Sequence, residues 1–352
     1  MRVGITMPPL SPTGPVDRDR RRHGRHLGAA LQNLVMVERV HPVEVDGVAG
    51  EGALTPASAL DALDLVIEIA PLLTEEWLSC FRARGGRSVL HPCGTVHAEL
   101  IAASVFNQAA SALPPGRHDA IWLMPGEAAY APMLRALHRI PVFTAPRLWA
   151  PPVELVRYDH GSLSRRGAHV AIVAPAACAF DMGAIPFLIA DSAARQRPEA
   201  VVQAQFVNAA PMAAQWSFAT MVRSSDLAAR QAVAIDAGDD VRSILGQRAN
   251  LLVAYHPAGD ADFACLDALA GGFPVVHNAT ALSGIGYGYD GQDIAGGATA
   301  LLRAVGDHDA HCDQARQTVA TRLASLHPHD PANRDIYARA LLALDGASRM
   351  AA

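Results

Sequence analysis

No run in this chain approaches the roughly 18 to 20 consecutive apolar residues that a helix needs to cross a bilayer. Hydrophobic residues make up 51% of the sequence, but alanine supplies much of that share, so a spanning helix is excluded and a soluble protein is expected. The opening Met1-Arg-Val-Gly-Ile-Thr6 is too short and too soon followed by prolines for a signal peptide. It reads as a first strand and points to the cytoplasm. Close cysteine pairs are missing as well: Cys80, Cys93, Cys178, Cys265 and Cys312 are scattered, which argues against a zinc knuckle or a disulfide framework and leaves free, mostly buried thiols. An excess of positive charge is also absent. The formal net charge of −5 argues against a surface built throughout for nucleic acid. Three catalytic loops are lacking: Gly-x-x-x-x-Gly-Lys-Ser/Thr, Gly-x-Gly-x-x-Gly after the first strand, and Gly-x-Ser-x-Gly around Ser104, Ser162 or Ser283. Phosphate-loop NTPases, dinucleotide dehydrogenases and serine hydrolases therefore find no support.

What is present is alternation. Strand candidates at Arg2 to Thr6, Leu63 to Ile69, Arg87 to Leu90, Ala120 to Leu123 and Val142 to Thr144 are separated by helix candidates at Gly24 to Leu34, Thr74 to Arg84, Val96 to Ala110 and Ala128 to Leu137. Thr74 can cap its helix, with Glu75 and Glu76 in the first turn. The proline-rich Ala145 to Pro152 and the polar Arg157 to Gly167 then read as a linker. A second series follows, with strands at His169 to Ala174, Ala200 to Val207, Ala232 to Ile235, Leu251 to Tyr255 and Phe273 to His277. Its helices fall near Gly183 to Arg195, Met212 to Val222, Asp240 to Gly246 and Phe263 to Ala270. Further helices near Gly297 to Val305, Asp309 to Ser325 and Asp330 to Leu344 close the chain. The expected fold is α/β: two tandem Rossmann-like, doubly wound domains with a cleft between them and C-terminal helices. The expected boundaries are residues 1–150 for the first domain, 151–167 for the linker, 168–326 for the second domain and 327–352 for a last helix and tail.

Asp267-Ala-Leu-Ala-Gly-Gly-Phe-Pro-Val-Val-His-Asn278 is the most informative stretch, because it reads as a helix end, a glycine break, a doubly buried strand and a polar exit. In parallel sheets ligands sit outside such strand ends. An ordinary βα unit without a ligand gives the same pattern. His256, just past the strand Leu251 to Tyr255, is similarly placed. Of the other histidines, His308, His311, His327 and His329 lack partners at zinc-like spacing and lie in the polar tail, so solvent exposure is expected for them. The run Asp17 to His26 carries five arginines and two histidines; it is either a solvated helix face or an electropositive mouth for a phosphate or an anionic acceptor.

The stretch Asp267 to Asn278, with Gly286-Tyr-Gly-Tyr-Asp-Gly-Gln-Asp293 after it, resembles the acidic-Ala-x-x-x-Gly-x-Pro-Val-Val signature of two-Rossmann-domain glycosyltransferases of the GT-B architecture. Leu63 to Ile69, Pro132 to Leu137, Leu148 to Pro151, Ile185-Pro186 and Val276 to Asn278 extend the likeness to a bacterial family of uncharacterised glycosyltransferase-like proteins. The resemblance implies transfer of a sugar from a nucleotide-sugar donor to a glycan, lipid-linked or other hydroxyl acceptor, without a metal and with no cofactor beyond the donor. Asp267 would hold the donor ribose hydroxyls. His256, Asn278 and the backbone of Ala279, Thr280, Ala281 and Leu282 would meet the rest of the donor, its diphosphate lying on free amides. On the acceptor side, a base would come from His91, His23, His26 or Asp19, and Arg25 would help position the acceptor.

Departures from that family accompany the likeness. A Glu-Asn pair falls about where this chain has Ala258-Gly259, an Asn-x-Tyr about where it has Asp262 and Phe263, and a Glu-Pro-Asn about where it has Ala174-Pro-Ala176. Asp181 stands for a lysine, and His23-Gly-Arg-His26 for an Asn-Gly-x-Asn. A non-catalytic paralogue, kept as a binding or scaffolding subunit, is therefore a second reading. A transferase acting on modified nucleic acid is a third, resting on the arginine run alone. Self-association stays open.

Overall fold

A computed structural model of the chain describes residues 1–9, 15–46, 52–93, 116–173, 183–213, 215–236 and 241–351. The expected helix Val96 to Ala110, the Ala174 to Ala176 segment, Cys178 and Asp181 lie outside the described residues. The chain divides into two compact units, Met1–Ala150 with Ala324–Ala352, and Pro151–Leu323.

The first unit is built on a six-stranded parallel sheet in the order β2-β1-β3-β4-β5-β6. Its strands are β1 (Arg2–Met7), β2 (Arg39–Glu44), β3 (Leu65–Glu68), β4 (Arg87–Leu90), β5 (Ala120–Leu123) and β6 (Val142–Thr144). β3, β5 and the last three residues of β4 are buried throughout, as short apolar runs covered on both faces should be. β2 has no counterpart among the expected strands. It lies at the sheet edge, contains Pro42 and is only partly buried, so its sequence carries no continuous apolar run. Helix Pro15–Leu31 takes in the whole arginine run, starting well before the expected Gly24. Helix Glu75–Ala83 begins as expected, with Thr74 Oγ1 accepting from Trp77 N at 3.2 Å.

Helix Pro331–Ala351 belongs to the first unit instead of forming a separate tail. Tyr337, Ala340, Leu341 and Leu344 join Val3, Ile5, Leu27, Leu31, Val89 and Trp122 in one core. Ala340, Leu341 and Leu344 lie three, four and seven residues after Tyr337, so the four line one helix face, which buries against the sheet.

The second unit holds β7 (Ala168–Val173), β8 (Val201–Val207), β9 (Val233–Ile235), β10 (Leu251–Val253), β11 (Val275–His277) and β12 (Tyr287–Gly288). Read from β9, the order is β9-β8-β7-β10-β11-β12, all parallel. The chain runs outward from β7 to β9 and then restarts on the other side of β7. That reversal puts a topological switch point at the carboxyl ends of β7 and β10, where open α/β sheets take their ligands. The expected linker is part of this unit: it includes the short helix Ser162–Arg166 and the buried Tyr158, whose hydroxyl donates to Asp309 Oδ1 at 2.6 Å.

The two helices expected near Gly297 to Val305 and Asp309 to Ser325 form one helix, Ile294–Ala324. His308, expected to face solvent, is buried within it, pairing through Nε2 with the Gly272 carbonyl at 2.9 Å and through Nδ1 with Tyr287 Oη at 3.3 Å. No helix among the described residues is long and apolar enough to cross a membrane.

Candidate functional site

The exits of β10 and β11 are stitched together by one side chain. Asn278 Oδ1 accepts from the His256 backbone N–H at 2.7 Å, and Asn278 Nδ2 donates back to the His256 carbonyl at 3.0 Å and to the Gly291 carbonyl at 3.2 Å. Asn278 thus mimics a further rung of parallel sheet beyond the strands and fixes where His256 stands. A second tie lies one turn on, where Thr280 Oγ1 donates to the Gly259 carbonyl at 3.2 Å. Tyr289 adds a third, its hydroxyl donating to the Ala254 carbonyl at 2.8 Å.

His256 is 9% exposed, and its Nε2 lies 3.3 Å from Cys265 Sγ. Cys265 is on helix Phe263–Gly271, which Asp262 caps by accepting from Cys265 N at 2.8 Å. Burial, reinforced by the Asp262 carboxylate, pushes the Cys265 thiol well above its ordinary range. His277, the last residue of β11, is 2% exposed and turns Nε2 to the Ile285 carbonyl at 2.9 Å. Its Nδ1 makes no hydrogen bond among the described residues. Burial lowers the affinity of His277 for a proton, and the nearby His256 adds to that.

Asp267 sits on the same helix as Cys265, a helix buried on nearly every face, and is itself 4% exposed. A buried carboxylate has the chemistry a ribose diol calls for, but this one is enclosed in the structure. The segment from Asn278 to Leu282 becomes a 3-10 turn at Thr280–Leu282. Its amides are only partly available. Leu282 N donates to the Ala279 carbonyl at 3.1 Å and Ala281 N reaches the Gly259 carbonyl at 3.5 Å, whereas no acceptor among the described residues takes the Ala279 and Thr280 amides. The expected row of four free amides is thereby shortened to two.

In the first unit, the exit of β4 brings His91 and His23 together, with ring centroids 4.8 Å apart. Both are 0% exposed. His91 Nδ1 pairs with the Trp122 carbonyl at 2.8 Å, which requires a proton on that nitrogen, and Nε2 lies 3.1 Å from Tyr337 Oη. With Nδ1 donating to the Trp122 carbonyl and Nε2 enclosed against Tyr337 Oη, His91 braces the core. Burial drives its pKa down to about 4, with the Trp122 bond opposing and Arg147 assisting. His23 is held neutral still more firmly, first by burial and then by His91, Arg147 and His26, and neither of its ring nitrogens has a hydrogen-bond partner among the described residues.

Arg25 is exposed and His26 half-buried. Burial, Arg22, His327 and Arg25 bring the pKa of His26 down to about 4. The arginine run is neither wholly solvated nor wholly a mouth: Arg21 makes a buried two-pronged bridge to Glu44 at 2.7 Å for each prong, and Arg22 donates to the Ala150 carbonyl at 2.8 Å. Sequence reading missed Cys265 and Arg147 as neighbours of these sites, because each is brought there by a contact between elements, and it gave Asp262 and His277 no role of their own.

A family profile described as protein of unknown function (DUF2827) matches residues 28–341, which takes in most of both units. The chain belongs to the DUF2827 family. No curated protein matches this DUF2827 chain. Among solved structures, it is similar to an α,α-trehalose 6-phosphate synthase of Burkholderia multivorans at TM-score 0.58 and 9% identity, covering 99% of this chain and 98% of that one. A UDP-forming α,α-trehalose-phosphate synthase of Burkholderia xenovorans, solved with glucose-6-phosphate, gives TM-score 0.54 at 14% identity over 82% of this chain and 76% of that one. HepE of Anabaena, solved with UDP-glucose, gives 0.51 at 13% identity over 92% and 100%. At these identities the likeness shows the fold: this DUF2827 protein has the two-domain α/β architecture of the GT-B glycosyltransferases.

Proposed function

We propose that the protein is a glycosyltransferase that moves a sugar from a nucleotide-sugar donor to a glycan, lipid-linked or other hydroxyl acceptor. The observation that carries this reading is the assembly at the second unit's switch point, where Asn278 locks His256 at the exit of β10 and the Ala279 and Thr280 amides stand beside it. An imidazole and two amide donors suit a diphosphate, and the enclosed Asp267 carboxylate suits the two hydroxyls of a ribose. On this reading the transfer itself calls on no metal. His23, neutral and without a hydrogen-bond partner among the described residues, is the acceptor-side histidine in the protonation state of a base, though its burial requires the exit of β4 to open before a hydroxyl can reach it. His26 and Arg25 would serve the acceptor from the outer side of their helix.

That burial, with His91 enclosed in the core as well, favours one alternative, a GT-B-fold binding or scaffolding subunit without catalysis. Calorimetric titration with a panel of nucleotides and nucleotide sugars tests the donor site. Saturable binding to the unaltered protein, weakened tenfold or more in Asp267→Ala, is expected, since losing both hydroxyl contacts of a buried charge costs at least about 1.4 kcal/mol. Flat traces across the panel would remove the donor reading. Binding without donor hydrolysis or transfer to any added acceptor would favour the scaffold.

A further inference from the structure

His256, Asp262 and Cys265 offer an imidazole nitrogen, a carboxylate oxygen and a thiol sulfur that all lie within 4.8 Å of one another. A tetrahedral zinc ion, with bonds of about 2.3 Å to sulfur and about 2.0 Å to nitrogen, holds its ligands roughly 3.5 Å apart. The observed separation of His256 Nε2 and Cys265 Sγ is 3.3 Å. We propose that these three side chains form a zinc site, bound through His256 Nε2, Cys265 Sγ and an Asp262 carboxylate oxygen, with the fourth position open to water. The site rests on the same strand ends as the donor reading but needs neither a nucleotide nor a transfer reaction.

Local structure explains why the three converge. Asp262 and Cys265 are the cap and third residue of helix Phe263–Gly271, so they share one end and one face of it. Asp262 spends Oδ1 on the Cys265 amide at 2.8 Å, which fixes the carboxylate beside the thiol. His256 is delivered from the other side by the paired Asn278 bonds. The set is selective: thiolate and imidazole favour zinc over magnesium or calcium, which take oxygen ligands. Binding exchanges a proton for the ion, as the Cys265 S–H bond breaks, the sulfur becomes a thiolate ligand and the proton leaves to solvent. No part of the Asp267 to Asn278 signature predicts this trio, because Asp262 and Cys265 lie before it and His256 earlier still.

The test is a zinc titration of the metal-free, full-length protein against a chromophoric chelator, repeated with cobalt as a spectroscopic stand-in. One tight equivalent and a thiolate-to-cobalt absorption band are expected. Disturbing groups that merely orient a ligand weakens metal binding about 10- to 100-fold, so Cys265→Ser and His256→Gln should each weaken it at least that much. His160, Cys312 and Asp313 form the other such group among the described residues, and Cys312→Ser separates the two by keeping full affinity. X-ray absorption of the unaltered protein with one zinc equivalent should show one sulfur among nitrogen and oxygen ligands, which frees the test from the folding of any variant. The absence of a tight equivalent, an all-oxygen shell, or loss in Cys312→Ser with retention in Cys265→Ser would each overturn the site. A flat nucleotide titration would sink the donor reading and leave a positive zinc result standing.

Discussion

At the exit of β4, His91 is fully enclosed in the core, and the consequence is a measurable dependence of stability on pH. Its pKa in the folded protein is about 4, against about 6.5 for an unfolded chain. Between those values the unfolded state binds the extra proton, so stability is complete above pH 6.5 and is lost as pH falls towards 4. For this fully buried group the full loss is on the order of 3 kcal/mol. Urea midpoints taken at pH 7.5 and pH 5 should therefore fall steeply in the unaltered protein and less steeply in His91→Gln, whose amide can keep one bond but takes up no proton. An identical slope in the two proteins would show that His91 does not carry the effect. The sequence placed His91 directly after its strand, as the structure has it, and His256 past a strand that ends at Val253 instead of the expected Tyr255, since a polar residue after a short apolar run marks such an exit. It could not say which would be tied off, because the partners Trp122, Tyr337 and Asn278 lie 31, 246 and 22 residues away.

Between β10 and β11 the chain turns through two adjacent glycines that have different jobs. Gly271 ends its helix against the backbone: a methyl group there would run into the Val156 carbonyl, while the Gly271 carbonyl accepts from Tyr158 N at 2.9 Å. Gly272 adopts φ +83°, the left-handed cap that only glycine takes without strain. Gly272→Ala should cost about 1 kcal/mol, and Gly271→Ala more, because the clash is with main chain that cannot swing away. Urea unfolding of the two variants checks the order, and the reverse order would mean that the Val156 contact yields easily. This turn was legible in advance, since Gly-Gly before a short apolar run punctuates sequence strongly. Elements whose residues look polar were not. Helix Ile294–Ala324 reads as two because Gly306, Asp307 and Asp309 interrupt its apolar pattern, yet His308 is buried among them through its bond to Gly272. The short helix Ser162–Arg166 reads as linker for the same reason, although Asp309 Oδ2 accepts from Ser164 N at 2.7 Å and anchors it.

At the scale of the whole molecule, the first unit is discontinuous: the chain completes it only after building the second. The apolar spacing of Tyr337, Leu341 and Leu344 was visible in the sequence, but not its destination, since the strands it covers all lie on the far side of the second unit in the chain. Tyr337 packs edge-on to Trp122 with centroids 5.8 Å apart and donates its hydroxyl to the Pro146 carbonyl at 2.8 Å. Arg87 fastens the end of the same helix by donating to the Leu344 carbonyl at 2.6 Å. Leu341 is 0% exposed, and Leu341→Ala should destabilise the first unit by about 2 to 5 kcal/mol, the usual cost of emptying a well-packed leucine site. Three of the four tryptophans, Trp77, Trp122 and Trp149, belong to that unit, so its unfolding dominates the change in tryptophan fluorescence and should move to lower urea. Native-state hydrogen exchange gives the sharper reading: amides of β1, β3, β4 and β5 should exchange faster in Leu341→Ala, while those of β7, β10 and β11 keep their rates. Equal acceleration in both sheets would show that the closing helix stabilises the molecule as one cooperative body instead of completing the core of its first unit.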